Sequence, residues 1–287
     1  MISVKNLQYA YPSAKNDTLH GIDFEIADQE IFGFLGPSGS GKSTTQKILI
    51  GLLKNYRGEI SALGKDLQDW DNSYYEQIGV SFELPNHYLK LTARENLEHF
   101  AGFYSGDKFS TDDVLSWVDL KADADKKVSD FSKGMKIRLN VARSLIHKPK
   151  FLFLDEPTSG LDPVNAKRIK DLILRLREDG VTTFVTTHNM NLADELCDRV
   201  AFVTNGKISV IDAPETLKAQ YGERKVRVDE TTKDGDQKSS EFELDGLQTN
   251  EQFHKTVRNA HRIERIHSLE TTLDNIFIKV TGEELHQ

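Results

Sequence analysis

The sequence predicts an α/β protein. The expected parts are a mainly parallel sheet, an antiparallel β subdomain at the N-terminus, a helical insertion and a small C-terminal α+β appendage. Three observations predict it. Continuous apolar runs such as Ile31-Phe32-Gly33-Phe34-Leu35 and Phe151-Leu152-Phe153-Leu154 have the pattern of strands buried on both faces. These runs alternate with stretches of helical spacing, the pattern of a parallel sheet covered by helices. Hydrophobic residues make up 38% of the 287 and charged residues 29%, a globular balance that excludes wholesale disorder.

The elements follow in order. Ile2-Ser3-Val4 and Ile22 to Ile26 alternate apolar and polar, as half-buried strands do. Ile31 to Leu35 runs into a glycine-rich turn and then a helix, Ser43 to Leu53, with Ile48, Leu49 and Leu52 on one face. Residues 85–147 read as the helical insertion. Thr92-Ala93-Arg94-Glu95 is a capping box, Ser110 and Ser132 stand where N-caps belong, and Ile137, Val141 and Leu145 share a helix face. Phe151 to Leu154 resumes the sheet. Asp162-Pro163 places a cap before proline at the first helical position, opening a helix to about Glu178, with a strand from Val181 to Thr187 after it.

The composition shifts after Gly222, which sets the expected domains at residues 1–222 and 223–287. In the tail, Lys225 to Val228 and Glu241 to Leu244 alternate as strands around a polar turn, Thr231 to Ser240. A helix at Glu251 to Asn259, a strand at Ile263 to Ile266 and an amphipathic helix carrying Leu269, Leu273, Ile276, Phe277 and Val280 complete it.

Bulk properties narrow the function. Lys and Arg number 37 against 45 Asp and Glu, a formal net charge of −8, so no nucleic-acid partner is expected. No run of 18 apolar residues spans a bilayer, and the first residues hold no apolar signal core. The single cysteine, Cys197, rules out an internal disulfide and suits a reducing cytoplasm.

Gly36-Pro37-Ser38-Gly39-Ser40-Gly41-Lys42-Ser43 fits G-x-x-x-x-G-K-[ST] in full, between a strand and a helix. Backbone N–H groups of such a loop surround phosphate oxygens, and the following helix N-terminus adds positive potential. Lys42 reaches the β- and γ-phosphates, and the Ser43 hydroxyl holds Mg²⁺. This is the mark of a P-loop NTPase. A dinucleotide fold is disfavoured, because the third glycine of that fingerprint is missing. Asp155-Glu156-Pro157 ends an apolar strand. Two adjacent carboxylates there are costly unless a metal and a water nucleophile use them, Asp155 for Mg²⁺ and Glu156 for the water.

With these residues in place, residues 2 to about 222 resemble the nucleotide-binding subunit of an ATP-binding cassette (ABC) transporter. Phe131-Ser132-Lys133-Gly134-Met135 stands where that family has its signature, usually leucine-serine-glycine-glycine-glutamine. Ser159-Gly160-Leu161-Asp162 resembles the loop that crosses the dimer interface. His188 matches the switch histidine at the γ-phosphate, and Tyr11 the aromatic that stacks on adenine. Thr44 follows the loop. The resemblance implies ATP and Mg²⁺ as ligands and ATP hydrolysis as the activity. It implies a second nucleotide-binding subunit, by default another copy, whose Ser132, Lys133, Gly134 and Asp162 complete the site. It also implies a separate multi-spanning membrane permease, with this chain peripheral on the cytoplasmic face. The permease is expected against Pro85 to Tyr104, where Tyr88, Phe103 and Tyr104 are taken as exposed.

Two stretches are similar to bacterial ABC-2-type drug, fluoroquinolone-like, exporter subunits. One is Tyr74 to Leu97, including Phe82 to His87. The other is the closing segment Ser268-Leu269-Glu270 with Ile276 to Gly282. Two residues depart from the family pattern. Glu83 stands where a glutamine is usual and is expected to bind Mg²⁺ as a carboxylate. Lys133 replaces the first signature glycine. Either Lys133 offsets Glu83 across a closed dimer, or it faces solvent. A soluble cassette ATPase of ribosomes or DNA is the rival reading, but the chain shows neither two cassettes nor long heptad arms. A non-enzymatic binding module is opposed by intact Lys42, Asp155 and Glu156.

Overall fold

The computed structural model describes residues 2–12, 14, 16–223, 225–232, 235–269 and 271–283. The chain divides into two compact units, one built on the residues up to Pro214 and the other on Glu215–Gly282.

In chain order the first unit contains β1 (Ile2–Tyr9), β2 (Leu19–Ile26), β3 (Ile31–Leu35), α1 (Lys42–Leu49), β4 (Arg57–Ala62), β5 (Lys65–Asp66), α2 (Tyr74–Gln77) and β6 (Ile78–Ser81). The helical insertion follows as α3 (Ala93–Ala101), α4 (Thr111–Trp117) and α5 (Lys133–Leu145). Then come β7 (Phe151–Asp155), α6 (Pro163–Glu178), β8 (Thr182–Thr187), α7 (Met190–Leu196), β9 (Arg199–Thr204) and β10 (Lys207–Asp212).

Six strands form the main sheet in the order β10-β9-β3-β8-β7-β6. All neighbours are parallel except β10, which pairs antiparallel with β9. The expected antiparallel subdomain is the four-stranded sheet β2-β1-β4-β5. Phe24 of β2 joins the two sheets. Its ring lies 5.7 Å from Phe32, 5.4 Å from Phe34 and 6.3 Å from Phe184, all fully buried. Each such phenylalanine contributes about 1.5–3 kcal/mol by leaving water.

The local caps form as the sequence predicts. Thr92 Oγ1 accepts from the Glu95 N–H at 3.1 Å while Glu95 Oε2 accepts from the Thr92 N–H at 2.8 Å. Ser110, Ser132 and Asp162 cap α4, α5 and α6. Other expectations need correction. The helix after the glycine turn ends at Leu49, not Leu53, because Gly51 takes φ +78 and Leu52 turns out to solvent. Strands β4, β6, β9 and β10 carry weak local signals and were not anticipated.

The second unit opens with α8 (Pro214–Tyr221) and continues with β11 (Lys225–Thr231), β12 (Gln237–Glu243), α9 (Glu251–Asn259), β13 (Arg262–Leu269) and α10 (Leu273–Thr281). Its sheet is antiparallel, β12-β11-β13, around Val226, Val228 and Phe242. The units divide between Pro214 and Glu215, at the first residue of α8 and earlier than the composition break at Gly222. The end of α8 is tied to the tail, since Lys279 Nζ donates to the Tyr221 carbonyl at 3.0 Å and the Glu223 N–H to Thr271 Oγ1 at 2.8 Å. The polar stretch Thr231 to Ser240 is shorter as a turn than expected, because Gln237–Ser240 already pair with β11. Leu269 ends β13 and does not join the last helix, which Thr272 caps. Glu270, part of the closing segment singled out in the sequence, lies outside the described residues.

Candidate functional site

The site lies at the carboxyl ends of β3, β7 and β8, where parallel sheets leave a crevice for ligands. The loop after β3 needs its glycines. A Cβ on Gly36 would stand 2.1 Å from the Val203 carbonyl oxygen, and one on Gly41, at φ +109, would stand 2.7 Å from Leu19 Cδ2. Lys42 folds back over the loop. Its ammonium donates to the Gly36 carbonyl at 2.6 Å and to the Pro37 carbonyl at 2.9 Å. Burial holds its pKa below the ordinary lysine value, partly offset by the charges of Glu156, Asp155 and Glu83.

Asp155 ends β7 and Glu156 follows at φ +48, a conformation in which the next hydrogen bonds must hold it. Glu156 Oε2 accepts from the Thr187 hydroxyl at 2.8 Å, and Oε1 accepts from the His188 N–H at 2.9 Å. His188 Nδ1 lies 2.6 Å from the same Oε1. Asp155 Oδ1 accepts from the Thr186 hydroxyl at 2.5 Å. Burial raises the pKa of Asp155, with Glu83 adding to the rise and the Thr186 bond and Lys42 opposing it.

These groups meet in one cleft of about 450 Å³ lined by Tyr11, Thr18, Ser38, Gly39, Gly41–Thr44, Glu83, Asp155, Glu156 and His188. That is room for a small organic phosphate. Comparison with known proteins decides whose cleft it is. Residues 19–159 match the ABC transporter family and residues 224–270 the fluoroquinolone efflux ABC transporter C-terminal domain. The chain is 51% identical to the fluoroquinolones export ATP-binding protein of Mycobacterium tuberculosis over 285 residues, 99% of this chain and 94% of that protein. It is 37% identical to the bacitracin transport ATP-binding protein of Bacillus licheniformis, covering 72% of this chain and 68% of that one. A dimeric ATP-binding cassette solved in a post-hydrolysis state with ADP and Pi superposes with a TM-score of 0.69 at 28% identity, covering 74% of this chain and 98% of its own.

This chain belongs to the ATP-binding subunits of ABC transporters. It is an ATPase of the P-loop class, and among the described residues no helix is long and apolar enough to cross a membrane.

The ABC cassette gathers most of the residues singled out in the sequence, but not all. Ser132, Lys133, Gly134 and Asp162 do not line the cleft. Ser132 caps α5 by accepting from the Met135 N–H at 3.2 Å, and Asp162 caps α6. Lys133 is exposed and its side chain lies over Gly160, where a Cβ would meet Lys133 Cε and Nζ at 3.2 Å. Gly36, Pro37 and Ser40 shape the loop from behind. Ser40 Oγ is buried with no hydrogen-bond partner among the described residues. The Tyr11 hydroxyl is 3.1 Å from Thr44 Oγ1, and its ring packs edge-on against Tyr9 at 5.1 Å.

One residue taken as exposed is half-buried. Tyr104 stacks on His147, just beyond the end of α5, at 3.8 Å between centroids. Phe103 and Tyr88 are exposed as expected. Sequence reasoning missed Thr18, Gln46, Thr186 and Thr187. Nothing local marks the two threonines as partners of carboxylates 31 positions away.

The donor set of the cleft fits Mg²⁺. A serine hydroxyl and carboxylates beside a phosphate loop suit a hard cation that keeps waters and takes phosphate oxygens. Among the described residues no group of three or more His, Cys, Asp and Glu side chains is placed to cage a metal alone.

Proposed function

We propose that this chain hydrolyses Mg²⁺-bound ATP between two copies of itself and drives export of a drug-like molecule through a separate multi-spanning permease, from the cytoplasmic face of the membrane. The observation that carries the reading is the division of the motif residues. Lys42, Ser43, Asp155, Glu156 and His188 share one cleft, while Ser132–Gly134 and Asp162 stand elsewhere on the same chain. Two complete sites then need two chains facing each other.

Ser43, Asp155 and Glu83 would hold the ion, which when bound neutralises charge on the β- and γ-phosphates. Lys42 exchanges two backbone carbonyls for phosphate oxygens. Tyr11 offers its ring to the adenine. Glu156 orients the attacking water and takes its proton. His188 keeps Nδ1 on Glu156, which leaves Nε2 to face the γ-phosphate. Ser132 and the N–H groups at the start of α5 meet that phosphate from the second copy, with Lys133, Gly134 and Asp162 beside them. Closing on ATP and opening after hydrolysis passes motion to the permease. The helical insertion supplies a docking surface, with Tyr88 50% and Phe103 67% exposed.

Export is supported by similarity that runs through the tail as well as the cassette. Purification of the tagged chain from native membranes tests the reading. A multi-spanning partner, and ATPase activity that rises with a fluoroquinolone once the pair is reconstituted, are expected. Recovery of ribosomes or DNA in place of a membrane partner overturns it.

A further inference from the structure

Gln46 sits within α1 and is 1% exposed. Its buried helix neighbours include Ile48 and Leu49, so packing alone would be satisfied by an apolar side chain there. A buried amide is unfavourable unless its hydrogen bonds are made. The residue is therefore held at this position by what its amide touches.

Its partner is Thr186 of β8, which is 0% exposed. Thr186 Oγ1 stands 3.0 Å from Gln46 Oε1 and 2.5 Å from Asp155 Oδ1. A hydroxyl carries one proton and can donate it once. The carboxylate, at the shorter distance, takes that proton, since bonds to ionised acceptors are the shorter and stronger ones. The Gln46 contact must then be donated by the amide. Gln46 Nε2 is buried and has no other partner among the described residues. A half-turn of the amide exchanges Oε1 and Nε2, and networks of this kind decide amide orientation. One Nε2–H then donates to Thr186 Oγ1, and the Thr186 O–H donates to Asp155 Oδ1.

We infer that Gln46 is a positioning residue for Asp155, acting through the Thr186 hydroxyl, and that this relay sets the distance between the metal-binding carboxylate and Ser43. The elements make the connection direct. Gln46 shares α1 with Ser43, Asp155 ends β7, and β8 lies between β3 and β7. A shift of the phosphate-loop helix is carried to the carboxylate by two hydrogen bonds. The inference rests on Asp155 holding Mg²⁺, as proposed above.

The test measures binding, not turnover, on the full-length chain. A fluorescent ATP analogue is titrated in EDTA and at increasing Mg²⁺. Gln46→Met removes the amide at similar length and volume. Thr186→Val removes the hydroxyl, and Thr186→Ser restores it. Gln46→Met and Thr186→Val are each expected to raise the Mg²⁺ needed for half of the metal-dependent gain in affinity, by about two- to tenfold. Affinity in EDTA stays at the parent value, Thr186→Ser behaves as the parent, and the double variant costs less than the two singles combined. A folded Gln46→Met with the parent's Mg²⁺ requirement overturns the relay. Where Gln46→Met does not fold, the contrast of Thr186→Val with Thr186→Ser decides, and equal Mg²⁺ requirements overturn it. Asp155→Asn separates the two layers. If it leaves the Mg²⁺ dependence intact, the assignment of Asp155 is wrong. If it abolishes that dependence while Gln46→Met has no effect, only the relay fails.

Discussion

Glu156 and His188 meet across the ends of adjacent parallel strands, with Glu156 Oε1 2.6 Å from His188 Nδ1 and 2.9 Å from the His188 N–H. The Thr187 hydroxyl holds the other oxygen at 2.8 Å. Three donors therefore fix the direction of one carboxylate in the cleft. Glu156→Gln keeps this shape and removes the base. Turnover is expected to fall by about 10² to 10⁴ with ATP binding retained, and size exclusion should reveal dimers only when ATP is present. Turnover near the parent value would falsify the assignment of Glu156 as base.

Two glycines of the phosphate loop should respond differently to alanine. Gly36→Ala forces a Cβ to 2.1 Å from a backbone oxygen of β9, which cannot move aside. Loss of ATP binding and of soluble protein is expected. Among the described residues nothing lies within 4 Å of a Cβ at Gly39, and the strain there comes from φ +83. Gly39→Ala should cost about 1–2 kcal/mol, read by denaturant unfolding. Equal losses at both positions would contradict the packing around Gly36.

His87 is half-buried with its Nε2 2.9 Å from the Lys136 carbonyl, and desolvation of the ring pushes its pKa down to about 4. Arg143 and Lys136 push the same way. The folded state therefore binds its proton less readily than the unfolded state, whose pKa is near 6.5. The stability this gives is complete above pH 6.5 and lost as pH falls from 6.5 towards 4, at up to about 1.4 kcal/mol per unit. Thermal unfolding at pH 7 and pH 5 should show the drop, and His87→Gln should flatten it. An unchanged slope in the variant would assign the acid sensitivity elsewhere.

Glu83 lines the cleft with Asp155 and Lys42, whereas Lys133 lies over Gly160 of its own chain. Glu83→Gln should weaken Mg²⁺ binding, as a carboxylate is exchanged for a neutral carbonyl. Lys133→Gly should act independently of it. In a double-mutant cycle of ATPase rates the two effects should add within about 0.5 kcal/mol. A pair that costs less than either single change would place Lys133 opposite Glu83 across the dimer.

A chain ending at Pro214 should remain soluble and bind ATP, because each compact unit has its own core and the cleft lies wholly in the first. Circular dichroism and nucleotide titration check this. A truncated chain that cannot bind ATP would mean that the tail completes the cassette.

What the sequence by itself determined is local. The loop Gly36–Ser43 was legible because glycines at fixed spacing permit one backbone path around a phosphate. The caps at Thr92, Ser110, Ser132 and Asp162 were legible because each bond closes within three residues. Buried strands such as β3 and β7 announce themselves by unbroken apolar runs. What only the tertiary structure decided depends on pairing across long stretches of chain. Thr186 and Thr187 reach Asp155 and Glu156 because β8 pairs with β7 in one register, and successive side chains of a strand point to opposite faces. Gln46 looked like one polar residue in a helix until that register brought Thr186 to it. The same holds for Tyr104, which reads as an exposed aromatic and becomes half of a stack with His147. The distance between Ser132 and the cleft is likewise set by how α5 packs, a sum of many weak contacts that no single residue encodes.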